Sequence, residues 1–283
     1  MAKDSAVNAV TRFQVKKTST NTIKTDQIVS EEPLEIRISN GKEDKRLAIT
    51  MRTPGNDLEL AAGFLWSEGL LRNRDDLISI TSCKDHKLSE RERENIVICH
   101  LHAAAPAMTR EIERRFTISS ACGICGTDQI DDLKNRGCHQ LEIPNLENDQ
   151  LAKLPEQMRD KQTIFDKTGG LHAAALFDEN GNFKVIREDV GRHNAVDKVI
   201  GWALMQDLIP LSKWSLAISG RGGFEIVQKA VAAGISAMVS VSAPTSLAVE
   251  TAREFNLTLL GFARDGQAIQ YSPDPGQNEY KNS

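Results

Sequence analysis

The sequence predicts an α/β protein whose second half is a layer of parallel strands covered by helices. Two observations carry this. Apolar, strand-like runs alternate with amphipathic segments from about residue 165 to 272, and short loops rich in Gly, Pro, Ser or Thr join them. The composition is that of an ordinary globular chain: 283 residues, 40% hydrophobic and 26% charged. That length suffices for roughly two domains, or one large one, with a buried core.

The elements follow in order. Residues 1–28 are polar, and "KKTSTNTIKTD" has no hydrophobic period, which predicts a mobile tail. Residues 29–118 read as a smaller α+β part. "PLEIRIS" and "KRLAITM" flank Asn40-Gly41 as the strands of a hairpin. In "TPGNDLELAAGFLWSEGLL", Asp57 is placed to cap a helix with Leu58, Ala61, Ala62 and Leu65 on one face. "NIVICHL" reads as a strand and "AMTREIERRF" as a short basic helix. Residues 119–140 form a cysteine-bearing loop, residues 141–272 the α/β unit, and residues 273–283 a second tail.

Within the α/β unit, "LHAAALFD" and "FKVIRED" suggest a hairpin around Glu179 to Asn182. "HNAVDKVIGWALMQ" places Ala195, Val196, Val199, Ile200, Ala203 and Leu204 along one helical stripe. Strand-like "SLAIS" then leads through "GRGG" into helix-like "FEIVQKAVAAG", and "AMVSVS" leads through "APTS" into "LAVETAREFN". "LTLLGFA" is the last strand. In such folds ligands sit beyond the carboxyl ends of the strands. Arg192, His193, Arg221 and residues 244–246 belong there.

Net charge is -4 and the pI is about 5.9, which speaks against nucleic acid or an anionic membrane as partner. No apolar run approaches the roughly 18 residues that span a bilayer, and the N-terminus has no apolar signal core. A cytoplasmic protein with reduced thiols is expected. The five cysteines, Cys83, Cys99, Cys122, Cys125 and Cys138, are odd in number and unevenly spaced, so they are not a disulfide framework.

"SSACGICGTDQI" holds the one Cys-x-x-Cys pair. A structural zinc needs four ligands. Cys138-His139 lies beyond the pair, but adjacent residues seldom both face one metal. Cys99 falls on the opposite face of its strand from His100 and His102. A zinc deaminase would show H-x-E and then P-C-x-x-C, whereas His172 is followed by two alanines. No metal is expected. A thioredoxin-like pair would follow a strand directly; here the flanks are small and polar, with Gly123 and Gly126 marking a loop. Thr127 or Asp128 could cap a brief helix "DQIDDL" whose dipole favours thiolate. Two thiols in one loop suit a sulfur relay, in which one carries a persulfide and the other displaces it.

Gly191-Arg192-His193-Asn194 and Gly220-Arg221-Gly222-Gly223 each open a helix. Backbone N–H groups, a helix dipole and an arginine together suit a phosphorylated ligand, although each loop singly is more often an ordinary strand-to-helix turn. Arg264, after the last strand, adds a third cation. His172 opens a small-residue strand and reads equally as a core histidine.

From about Glu32 to Tyr271 the chain resembles the FdhD family, sulfurtransferases required for formate dehydrogenase activity. The resemblance rests on "TPGNDLELAAGFLWSEGLL", "ACGICG", "LHAAA", "EDVGRHNAVDKVIG", "SGRGGFEIVQKA", "SAPTSLAVETA" and "LTLLGFARDG". It implies a cytidine deaminase-like layered core. It implies sulfur taken from a cysteine desulfurase as a persulfide on Cys122, with Cys125 beside it. That sulfur would pass to the molybdenum cofactor, bis(molybdopterin guanine dinucleotide), bound as acceptor before insertion into the formate dehydrogenase apoenzyme. The cofactor-binding segment falls on Phe262, Ala263, Arg264, Asp265, Gly266 and Gln267, joined by Arg192, His193, Arg221 and His172. The chain departs from the family pattern at Gly223, where serine is usual, and at Gln267, where arginine is frequent. A non-catalytic cofactor chaperone is the alternative reading. A symmetric homodimer is compatible with the sequence without being dictated by it.

Overall fold

The computed structural model describes residues 9–108 and 126–273, which form three sheets. β1 (Val10–Lys17) and β2 (Thr22–Val29) make a two-stranded ribbon. The segment read as a mobile tail is therefore a hairpin across residues 10–29. β-branched Val10, Thr11, Val15, Thr22, Ile23, Thr25, Ile28 and Val29 favour extended backbone, and Asn21 (φ 56°) accepts the left-handed turn.

The second sheet has the order β4-β3-β6-β5. β3 (Glu32–Ser39) and β4 (Asp44–Arg52) form the expected antiparallel hairpin. β5 (Leu77–Ser82), preceding α2 (Glu90–Glu94), pairs antiparallel with β6 (Ile96–Leu101), which runs parallel to β3. Strand alternation buries Cys99 and leaves His100 half-exposed against the Thr81 hydroxyl at 3.2 Å.

α1 (Asp57–Ser67) lies on this sheet, with Leu60, Ala61 and Leu65 in a core shared with Leu34, Ile36, Val97 and Leu101. Truncating such a leucine to alanine costs roughly 2–5 kcal/mol. The cap expected at Asp57 is one residue off. Asn56, in left-handed conformation (φ 57°), is the N-cap and makes no side-chain cap bond. The Asp57 carboxylate is instead engaged by fully buried Arg52, Nε at 3.0 Å and Nη2 at 2.8 Å, and a bidentate pair compensates the buried guanidinium.

The third sheet has the order β12-β11-β10-β9-β7-β8. β9 (Ser215–Ile218), β10 (Ala237–Ser240) and β11 (Thr258–Arg264) are parallel. β7 (His172–Phe177), β8 (Phe183–Asp189) and β12 (Gln267–Ser272) join antiparallel, so the layer is mixed rather than parallel throughout. The expected helices are all present: α7 (Arg192–Met205), α8 (Phe224–Ala232) and α9 (Ser246–Glu254). They cover one face together with α3 (Gly126–Asn135). α3 starts before Thr127 and Asp128, so both lie inside the helix rather than at its cap. The basic helix expected at residues 107–116 falls almost wholly outside the described residues.

The other face carries α4 (Asn148–Leu151) and α5 (Leu154–Arg159), whose Leu151, Leu154 and Met158 pack on Ala175, Phe177 and Val239. α6 (Phe165–Thr168) follows and ends at left-handed Gly169. Among the described residues no helix is long and apolar enough to cross a membrane.

α1 and α7 join the two larger sheets. They cross at Gly63 and Gly201, and Trp66 donates its indole N–H to the Ala232 carbonyl at 2.8 Å. Buried and part-buried ion pairs line the seam. Lys198 Nζ meets Asp189 at 2.7 Å and the Thr53 carbonyl at 2.9 Å. Lys229 meets both Asp197 oxygens at 2.8 Å. Arg187 grips Glu59 through Nε and Nη2.

Candidate functional site

The carboxyl ends of β9, β10 and β11 point toward the amino end of β7, because β7 runs antiparallel to β9. There the described residues form a cleft of about 660 Å³. One wall is α5, α6 and the link between them, contributing Met158, Arg159, Gln162 and Phe165. The ends of β7 and β9 contribute His172 and Ser219, and the ends of β10 and β11 contribute Val241 with Ala263, Arg264 and Asp265. The mixture suits an organic ligand with an apolar body and polar groups.

His172 is half-buried beside Gly220, whose other neighbour is Arg192; a side chain at Gly220 would meet both. Burial, then the charges of Arg192 and His193, lower the His172 pKa against the pull of Asp189. The neutral imidazole is thereby favoured at neutral pH, able to accept as well as donate. The Ser219 hydroxyl accepts the Ala173 N–H at 2.8 Å, and the Ser219 N–H returns to the Ala173 carbonyl at 3.0 Å. These bonds register β9's end on β7.

Arg192 and His193 open α7, as the sequence placed them. Their neighbours are largely structural: Asp189 accepts from Gly191 N–H (2.8 Å), Asn194 (3.0 Å) and Thr53 N–H (3.1 Å). His193 Nε2 lies 2.7 Å from Glu225. That bond, outweighing burial and helped by Lys229 and Arg192, holds the Glu225 carboxyl below its usual range. Arg221 is exposed and is not among the residues lining the cleft.

The segment 262–267 divides. Ala263, Arg264 and Asp265 line the cleft, while Phe262, Gly266 and Gln267 do not. Phe262 is 49% exposed and left-handed (φ 53°), its N–H reaching the Ser242 carbonyl at 3.3 Å. Asp265 (φ 52°) and Gly266 (φ 69°) are also left-handed. A non-glycine residue in that region costs about 1–3 kcal/mol and is concentrated where function holds it. Arg264 Nε sits 3.4 Å from Asp265, both side chains mostly in solvent. Gly266 N–H donates to Glu156 at 3.0 Å and ties this turn to α5. Gly223 caps α8 without a side chain, and an added Cβ there would meet nothing within 4 Å.

Sequence reasoning missed the wall at 155–170, Ser219 and Glu225. Pro155 at a helix start and Gly169 in the left-handed region were the available signals. Cys122 and Cys125 lie outside the described residues. Of the other thiols, burial pushes Cys99 up to about 12 and also raises Cys138. Among the described residues no group of three or more His, Cys, Asp or Glu is placed to hold a metal.

Comparison with known proteins adds a lineage. The chain is 47% identical over 250 residues to the sulfur carrier protein FdhD of Streptomyces avermitilis, covering 87% of each. It is 40% identical over 258 residues to the protein of that name from Sulfurisphaera tokodaii, covering 91% of this chain and 94% of that one. A crystal structure described as a formate dehydrogenase accessory protein, from Desulfotalea psychrophila, has the same fold at TM-score 0.69. Its identity is 20%, over 94% of this chain and 97% of that one. The model of the FdhD/NarQ family matches residues 29–275, and the chain therefore belongs to the FdhD/NarQ family.

Proposed function

We propose that this protein is a sulfur carrier and sulfurtransferase serving formate dehydrogenase. Cys122 takes sulfur from a cysteine desulfurase as a persulfide, and the acceptor is the molybdenum cofactor, bis(molybdopterin guanine dinucleotide), held in the cleft. The reading is of a cytoplasmic protein with a cytidine deaminase-like layer. What carries it is the convergence of His172 with Ala263, Arg264 and Asp265 on one cleft, in a chain whose relatives are named sulfur carriers.

The chemistry asked of the chain is modest. A persulfide holds its transferable sulfur as the outer atom. When the Cys125 thiolate attacks the inner sulfur, the Cys122–Cys125 bond forms and the outer sulfur departs with its electron pair as hydrosulfide to the acceptor. The disulfide left behind is then reduced by an external thiol. Neutral His172, Ser219 and the main chain of the 263–265 turn supply polar contacts, and Arg264 supplies positive charge toward a phosphate. Arg192 acts on His172 through its field, and His193 is braced by Glu225.

The cleft alone is equally served by a cofactor chaperone without chemistry, since no described cysteine lines it. Two experiments separate these readings. With both Cys122 and Cys125 changed to alanine, a chaperone keeps formate dehydrogenase maturation and a sulfur carrier loses it. Calorimetry with a guanine nucleotide should show weaker binding by His172→Ala and Arg264→Ala while sulfur loading is retained. Unchanged affinity in both folded variants would remove the cleft from the reading.

A further inference from the structure

We infer that Gln162 is the residue that reads a planar ring of the cofactor, its carboxamide pairing with a ring edge that carries an N–H beside a C=O. The inference rests on the reading that the cleft binds that cofactor. Gln162 lines the cleft and is only 3% exposed. Its main chain is fixed on both sides: the N–H donates to the Arg159 carbonyl at 3.2 Å, and the carbonyl accepts from Asp166 N–H at 3.1 Å. Among the described residues its carboxamide has no hydrogen-bond partner, although neither amide atom is wholly enclosed. Polar side chains buried to this degree are normally hydrogen-bonded. The open space that Gln162 borders is the cleft, so a ligand in the cleft is what this amide is placed to meet.

The lining also gives the ligand a direction. Its charged residues, Glu156, Arg159, Arg264 and Asp265, are its exposed ones. Its buried members are neutral: Met158, Gln162 and Leu171, with half-buried His172 held toward the neutral form. Phosphate groups are therefore favoured at the exposed side, beside the arginines. An uncharged ring system is favoured on the buried side, where a charge would be costly.

A carboxamide offers one donor and one acceptor side by side, and it can turn over to exchange them. It matches a planar edge that alternates the two, as side-chain amides match the edge of a nucleic-acid base. A lactam ring has such an edge, and both the guanine and the pterin of the cofactor carry one. Gln162 is thus a binding residue for that edge and takes no part in moving sulfur.

Calorimetry on the full chain tests this with GDP and with pterin-6-carboxylate, each with and without a methyl group on the ring nitrogen of the lactam edge. For the ring that seats at Gln162, methylation and Gln162→Met should each weaken binding at least about tenfold. The two losses should not add, because either change alone removes the same pair. The pattern with GDP assigns the guanine, and the pattern with the pterin assigns the pterin. Gln162→Asn, which keeps the amide but withdraws it, replaces the methionine variant if that one does not fold. Binding of either probe that neither change weakens, or losses that simply add, would overturn the role of Gln162 and leave the cleft reading standing. If the unaltered protein binds neither probe, the cleft reading falls and Gln162 with it.

Discussion

Gly63 on α1 and Gly201 on α7 meet backbone to backbone. A Cβ on Gly63 would lie 1.8 Å from the Asp197 carbonyl oxygen, and one on Gly201 would lie 1.8 Å from that of Glu59. No rotamer change relieves contact with main chain, so the helices must separate. Gly63→Ala or Gly201→Ala should each lower stability by about 1–3 kcal/mol or more, despite alanine's better helix propensity. Thermal or denaturant unfolding checks this. Because the two helices join the larger sheets, the double variant should fall short of additivity.

Lys198 is buried between Asp189 and the Thr53 carbonyl. Lys198→Met should leave the Asp189 carboxylate buried without its cation and destabilise the fold by roughly 3–5 kcal/mol. Lys198→Met with Asp189→Asn should recover part of that loss, as measured by urea denaturation.

Those two relationships show what was legible in the sequence. α7, α8 and α9 were readable because their apolar stripes run long enough for a period, and the intervening strands because they are bounded by turn residues. The Gly63–Gly201 contact was not, since a glycine within a helix reads only as a local cost until its neighbour is known. α5 has six residues and α6 four, too few to show a period, so the wall of the cleft went unread. The ribbon at 10–29 was hidden by polarity, although its β-branched residues were visible. For the site, His172 and the 263–265 turn were each identified, but their shared cleft depends on β7 lying antiparallel beside β9. Arg221 had the right local pattern and lies outside the lining. Residue chemistry is local; convergence belongs to topology.

Burial and the Arg192 charge hold His172 toward its neutral form. Arg192→Gln removes one of those causes, so the His172 pKa should rise toward the ordinary histidine value. NMR titration of the imidazole Hε1 would report it. With the folded-state pKa depressed, charging His172 costs stability as pH falls below the unfolded value, and the variant should lose less stability on acidification. An unmoved titration would show that Arg192 does not act on His172.

Cys99 is fully buried, and its thiol is raised to about 12. Native protein treated with N-ethylmaleimide at neutral pH should leave Cys99 unmodified while unfolded protein labels it, since thiolate is the reacting form. Peptide mapping distinguishes the two. Rapid native labelling would mean that the second sheet opens far more readily than its core indicates.

The central claim is that Cys122 carries the sulfur, and one measurement meets it directly. The full chain is incubated with a cysteine desulfurase and cysteine, digested without reductant and mapped by mass spectrometry. The account predicts an added sulfur atom on the peptide bearing Cys122, located on that residue and removed by reductant. Cys125→Ala protein should load the same residue and deliver it more slowly. Added sulfur found on Cys125 alone, or full formate dehydrogenase maturation by Cys122→Ala protein, would contradict it.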